Sequence, residues 1–205
     1  MGGFVHIVKR EYKFLNNYFT ERKFRKVTPP FVSDLITSED SRIHWKYLDV
    51  AGKIVLDLGC GLWDVSDLQE ASAVYFKNKG AKKVIGVDLN EKDINVIKKY
   101  FSKHFPADGS EFLVKSITNT NDLTVLIAQY QIESIKCDIE GFENVLFSLD
   151  KSQVKNIKNI SVEYHSRQLF LGLLQTIKKW NFTIINHSNF TYASQNMGVI
   201  TARRD

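Results

Sequence analysis

Four side chains fall close to the ends of two apolar runs and could do acid–base or metal chemistry. They are Asp138 and Glu140, after Ser134-Ile-Lys-Cys, and Glu163 and His165, in Ile160-Ser-Val-Glu-Tyr-His165. Side chains alternate along an extended chain, so the members of each pair share a face wherever the strand continues. A neutral imidazole accepts a proton near pH 7, which makes His165 the expected base, with Glu163 orienting it or the substrate. A hard divalent cation held by Asp138 and Glu163 is the rival arrangement. Two carboxylates without a third defined oxygen do not make such a site, so no metal is assigned. The plainer alternative is that these groups only close hydrogen bonds with neighbouring loops.

A second constellation lies earlier in the chain. Ile54-Val-Leu-Asp-Leu-Gly-Cys-Gly61 reads as a buried strand running into a glycine turn, Asp57-x-Gly59-x-Gly61. The glycines allow a sharp turn and a close backbone approach to a ligand. About one strand–helix–strand unit downstream, Val84-Ile-Gly-Val-Asp88 ends in an acid that could accept hydrogen bonds from ribose hydroxyls. The dinucleotide fingerprint would need glycine at position 64, where Asp64 stands, and a carboxylate there would repel a pyrophosphate. Acids at Asp57 and Asp64 suit instead a ligand with a sulfonium and an ammonium, which favours S-adenosylmethionine (SAM) over NAD. The competing reading is that Asp57 and Asp88 merely cap turns.

These groups need a scaffold, and the hydrophobic periodicity supplies one. Strands are expected at Ile54 to Leu58, Val84 to Asp88, Glu111 to Lys115, Ser134 to Asp138, Ile160 to Tyr164, Phe182 to Asn186 and Gly198 to Ala202. Helical spacing marks Glu70 to Lys79, Glu91 to Lys103, Asp122 to Tyr130, Phe142 to Leu149 and Ser166 to Trp180. This alternation predicts an α/β fold: a Rossmann-like, doubly wound sheet of about seven strands, mostly parallel, with an antiparallel last strand. The short link from Ser188 to Asn196 suits a hairpin rather than a crossover. Residues 1–50, broken by Pro29-Pro30, are expected to form an N-terminal helical cap on the domain of residues 51–205.

With the motifs in order, Val55-Leu-Asp-Leu-Gly-Cys-Gly61 and Val84-Ile-Gly-Val-Asp88 resemble the first two motifs of class I SAM-dependent methyltransferases. Ile135-Lys-Cys-Asp-Ile-Glu-Gly-Phe-Glu143 and Ile160-Ser-Val-Glu-Tyr-His165 resemble the FkbM branch, whose members mostly O-methylate sugars, polyketides and related small molecules. The resemblance implies that Gly59 and Gly61 lie against the methionine part of SAM and that Asp88 binds the ribose. It implies Leu89 near the adenine, Asp57 and Asp138 at the ammonium and sulfonium end, and Ser116 and Ile117 at the adenine edge. Asp88 is followed by Leu89-Asn90, where the family commonly has proline, and the link from Leu62 to Gln69 is longer than usual.

Composition narrows the partners. With 205 residues, 43% hydrophobic, the chain can bury a sizeable core, and one domain is expected. Two cysteines make no disulfide framework, and Lys9, Arg10 and Glu11 interrupt any early apolar stretch. A cytoplasmic protein with no membrane partner is the expectation. The net charge of +5 is concentrated in Lys9, Arg10, Lys13, Arg22, Lys23, Arg25 and Lys26, interleaved with aromatic residues. Such a stretch could grip nucleic acid, though a helix with one solvated basic face is the simpler reading. The expected activity is O-methylation of a small hydroxylated acceptor by SAM. The alternatives are an RNA or protein methyltransferase and a SAM-binding module without turnover.

Overall fold

The computed structural model describes residues 45–62, 68, 71–192 and 195–204. Most of the expected helical cap, including His44, lies outside them, as do Trp63 and Asp64.

Five strands run parallel: β1 (Ile54–Leu58), β2 (Lys83–Asp88), β3 (Glu111–Val114), β4 (Ser134–Cys137) and β5 (Asn159–Tyr164). Two more form a hairpin, β6 (Thr183–Tyr192) and β7 (Gln195–Arg203), with β7 antiparallel to both β5 and β6. The order across the sheet is β3-β2-β1-β4-β5-β7-β6. β1 and β4 are therefore central, and the order reverses beside them: β2 and β3 lie to one side and β4 and β5 to the other. A crevice opens at the carboxyl ends of the strands at such a switch point.

The central strands are buried on both faces and read as near-continuous apolar runs. The crossovers are α1 (Ser72–Asn78), α2 (Glu91–His104), α3 (Thr120–Tyr130) and α4 (Arg167–Lys179). Asn90, Asn119 and Ser166 cap the last three, each side chain accepting a backbone N–H from the first turn.

Two apolar layers sandwich the sheet. Leu56, Leu58, Ile85 and Ile135 pack with Leu123, Leu126 and Ile127 of α3 and Phe170 and Leu173 of α4. Val55 and Val84 pack on the other side with Val74 and Phe76 of α1 and Ile94, Ile97 and Phe101 of α2. Alternation along β1 thus sends Asp57 to the same side as Val55, beneath α1.

The structure departs from expectation in two places. Phe142 to Leu149 forms only a 3-10 turn, Glu143–Leu146, because its first acid turns back to the preceding loop. The hairpin strands extend well past the predicted ends, from Thr183 to Tyr192 and from Gln195 to Arg203.

Candidate functional site

The glycine turn after β1 is shaped by what it touches. Gly59 has φ +72, and a Cβ on it would lie 1.7 Å from the Asp138 carbonyl oxygen, so both conformation and contact demand glycine. The Gly61 N–H donates to Asp88 Oδ2 at 2.7 Å, and a Cβ on Gly61 would also lie 2.7 Å from that oxygen. Asp88 Oδ1 accepts from the Asn90 N–H at 2.8 Å. The acid at the end of β2 is thereby fixed against the turn while staying partly exposed. Each of its oxygens keeps a lone pair for a further donor. Leu89, next in the chain, is 70% exposed, an apolar surface beside a polar acid. Asp93, buried in the first turn of α2, accepts the Leu62 N–H at 3.0 Å and continues the cradle.

Ser116 is exposed in the loop after β3, one residue beyond Lys115, whose N–H donates to the Asp88 carbonyl. Ile117 turns into the core with Leu123 and Leu126.

Asp57 sits under the turn, fully buried, accepting a 2.6 Å hydrogen bond from Ser72 Oγ of α1. Its counter-ion is Lys136, the residue paired with it in the β1–β4 register. The Lys136 ammonium is 3.3 Å from Asp57 Oδ1 and 3.8 Å from Asp138 Oδ2. It also donates to the carbonyls of Leu58 and Gly59, and the Trp45 ring covers it at 4.8 Å. Burial disfavours a charged lysine, but the Asp57 and Asp138 carboxylates outweigh it and hold the proton on. One buried cation therefore ties together the strand acid, the glycine turn and the end of β4.

Beyond that pair, the ends of β4 and β5 converge on His165. Its Nδ1 is 3.0 Å from Glu143 Oε1, and its Nε2 is 3.8 Å from Asp138 Oδ1 and 3.4 Å from Glu140 Oε2. Glu143 is 1% exposed, and its Oε1 also accepts the N–H groups of Ile139 and Gly141. Glu140 adopts φ +53, a left-handed conformation uncommon outside glycine. Glu163 is buried two residues before His165 on β5.

Partial burial works against a charged His165. The Glu143 hydrogen bond and the Glu143, Glu163 and Asp138 carboxylates more than offset it, and its pKa is pushed up to about 9. At neutral pH the ring is therefore cationic and meets a ligand as a donor. A cationic ring donates rather than accepts, against the base role expected for His165 from the sequence. The side chain seen to hold the ring through Nδ1 is Glu143.

Sequence reasoning thus missed Lys136, Glu143 and Ser72 as members of the site. Lys136 carried a readable signal: a lysine between Ile135 and Cys137 in a strand buried on both faces needs an acid on a neighbouring strand. Glu143 carried none, since its residue type suits an exposed helical turn equally well.

The sequence matches no family model and no curated protein. Solved structures do match in three dimensions. A protein from Streptococcus pneumoniae, described as a tRNA methyltransferase in complex with S-adenosyl-L-methionine, aligns with a TM-score of 0.56 at 14% identity, covering 82% of this chain and 73% of its own. Magnesium protoporphyrin IX methyltransferase from Synechocystis, with bound SAM, gives 0.50 at 12%, covering 77% and 72%. A protein of the NADB-Rossmann superfamily from Streptococcus agalactiae gives 0.55 at 15%, covering 83% and 70%. What they share with this chain is the fold. That fold is the Rossmann-like sheet expected from the alternation of strands and helices.

Proposed function

We propose that the chain is a SAM-dependent methyltransferase that O-methylates a small hydroxylated acceptor such as a sugar or secondary metabolite. The observation that carries the reading is the Gly59–Gly61 turn, held against Asp88 by a backbone hydrogen bond and followed by the exposed Leu89. The same fold occurs in proteins solved with SAM. When bound, SAM supplies an electrophilic methyl group whose leaving thioether is neutral. The residues suited to hold it are Gly59 and Gly61 along the methionine part, Asp88 on the ribose and Leu89 on the adenine. Ser116, exposed in the neighbouring loop, would meet the adenine edge, with Ile117 behind it in the core. Asp57 would act from beneath, through Lys136 and Ser72, while Asp138 at the β4 end is the acid open to the ligand's cationic end.

Methyl transfer asks chiefly for alignment, and a hydroxyl acceptor adds the removal of a proton. Asp138, Glu163 and His165 stand at the ends of adjacent strands beside the glycine turn, which supports an acceptor site there. The cationic His165 would orient the acceptor by donating, and a carboxylate would take its proton.

Calorimetry with S-adenosylhomocysteine (SAH), the demethylated product, tests the cofactor assignment. Asp88→Ala should lose about 1.5–3 kcal/mol of binding, roughly ten- to hundredfold in Kd. A folded variant with unchanged affinity refutes the ribose role. An RNA methyltransferase is the second reading, favoured by the basic residues between Lys9 and Lys26 and by the tRNA methyltransferase among the structures of similar fold. Affinity for RNA that falls steeply with added salt supports it, and weak binding indifferent to salt speaks against it.

A further inference from the structure

The strand ends that would face the acceptor hold more carboxylate than their hydrogen bonds consume. Asp138, Glu143 and His165 each bring a donor atom to within 4.8 Å of the other two. Glu143 is 99% buried by its 1% exposure, yet its Oε2 has no hydrogen-bond partner among the described residues. The same is true of Asp138 Oδ1, which is shielded from solvent. A buried carboxylate oxygen with nothing to accept is costly, and the ring, 3.8 Å from Asp138 Oδ1, is too far to donate to it, so that oxygen faces Nε2 across a gap that suits a cation. Lys136 does not serve both: it lies 3.8 Å from Asp138 Oδ2, on the side of Asp57 and the glycine turn.

We propose that His165 Nε2, Asp138 Oδ1 and Glu140 Oε2 bind a divalent transition-metal ion, with Glu143 holding the ring from behind through Nδ1. The sequence spacing supplied Asp138 but no full donor set, and the fold adds the ring nitrogen and the Glu140 oxygen. With Nδ1 held by Glu143 Oε1, the imidazole turns Nε2 toward Asp138 Oδ1 at 3.8 Å and Glu140 Oε2 at 3.4 Å. Two donors each about 2.1 Å from one ion are about 3.4–3.8 Å apart when they subtend roughly 110–130° at it. The structure therefore needs little rearrangement around Nε2. A carboxylate on the far ring nitrogen of a metal-bound histidine is also the usual way such a ligand is oriented.

The donor set selects the ion. One imidazole with carboxylates suits zinc, manganese, iron or cobalt better than magnesium or calcium, which take all-oxygen shells. Binding displaces the His165 proton to solvent, with the ion's charge replacing it. The use of the ion rests on the methyltransferase reading: an acceptor hydroxyl on an open coordination position would have its pKa lowered.

The test uses the full chain, stripped of metal and free of any affinity tag, titrated with Co2+ and followed by visible absorption. One Co2+ per chain should bind with the ligand-field bands of a low-symmetry site. His165→Ala and Asp138→Asn should each weaken binding at least tenfold, with circular dichroism verifying the fold. His104→Ala, a histidine stacked on Tyr100 away from the cluster, should leave binding unchanged. No saturable uptake by the folded chain, or uptake indifferent to both cluster variants, overturns the proposal. SAH affinity measured on the same samples separates the two readings. SAH binding without Co2+ uptake removes the ion and leaves the cofactor, and Co2+ uptake without SAH binding does the reverse.

Discussion

Lys136→Met should be among the most damaging single substitutions in the described part of the chain. The ammonium is 2% exposed and offsets a carboxylate with no exposure at all, 3.3 Å away. Methionine fills a similar volume but leaves Asp57 buried with Ser72 as its remaining donor. Removing one partner of a buried pair costs about 3–5 kcal/mol, a large share of the roughly 5–15 kcal/mol that holds a typical domain folded. For a domain of this size that is a Tm lower by roughly 6–20 °C. Urea unfolding of Lys136→Met, Asp57→Asn and the double variant completes a thermodynamic cycle. The double variant should recover much of the loss, because no uncompensated charge remains. The deficit of Lys136→Met should also shrink as pH falls, since burial raises the folded-state pKa of an unpaired Asp57 and protonation neutralises it. A loss below about 1 kcal/mol, or additive single effects across the cycle, would refute the claim that this pair organises the turn.

The two glycines of the turn should respond differently. Gly59→Ala meets backbone at 1.7 Å and a left-handed φ, so it should fail to fold or unfold well below the parent in a thermal melt. Gly61→Ala meets the tip of the Asp88 side chain, which can swing away, so the protein should stay folded while SAH affinity drops in calorimetry. His165 gives a pH signature in the chelated protein. Its folded pKa, about 9, lies above the ordinary 6.5, so its contribution to stability is full below about pH 6.5 and lost as pH rises through about 9. The stability gap between the parent and His165→Gln should therefore narrow between about pH 6 and pH 10, and a constant gap would contradict the carboxylate environment described for the ring.

Much of the fold was legible because the parallel strands are short and largely apolar runs, three of which, β1, β2 and β4, end at a glycine or an acid. Ile54 to Leu58 was read to the residue, and the expected bounds of β2 to β5 differ by one residue at one end. The hairpin was harder. Its polar residues, such as Asn186 and Ser188, resemble a loop in sequence but are buried in β6 by pairing with β7. The segment from Phe142 to Leu149 has helical spacing, yet Glu143 spends one oxygen on two loop N–H groups and His165, a tertiary demand that propensity does not register. The candidate site was legible as types and order: glycine turn, ribose acid, carboxylates and histidine. Protonation was not, because the charge on His165 depends on a carboxylate 22 residues away that only folding brings to 3.0 Å.

Trp45 lies at the boundary between the described domain and the 44 residues before it, and its ring roofs the Lys136 ammonium. The indole also belongs to the apolar layer that holds Val55 and Val74, so it anchors the start of the described domain as well as roofing its buried cation. Cutting the chain back past this indole would uncover a cation that is now only 2% exposed, so the safe place to cut lies ahead of it.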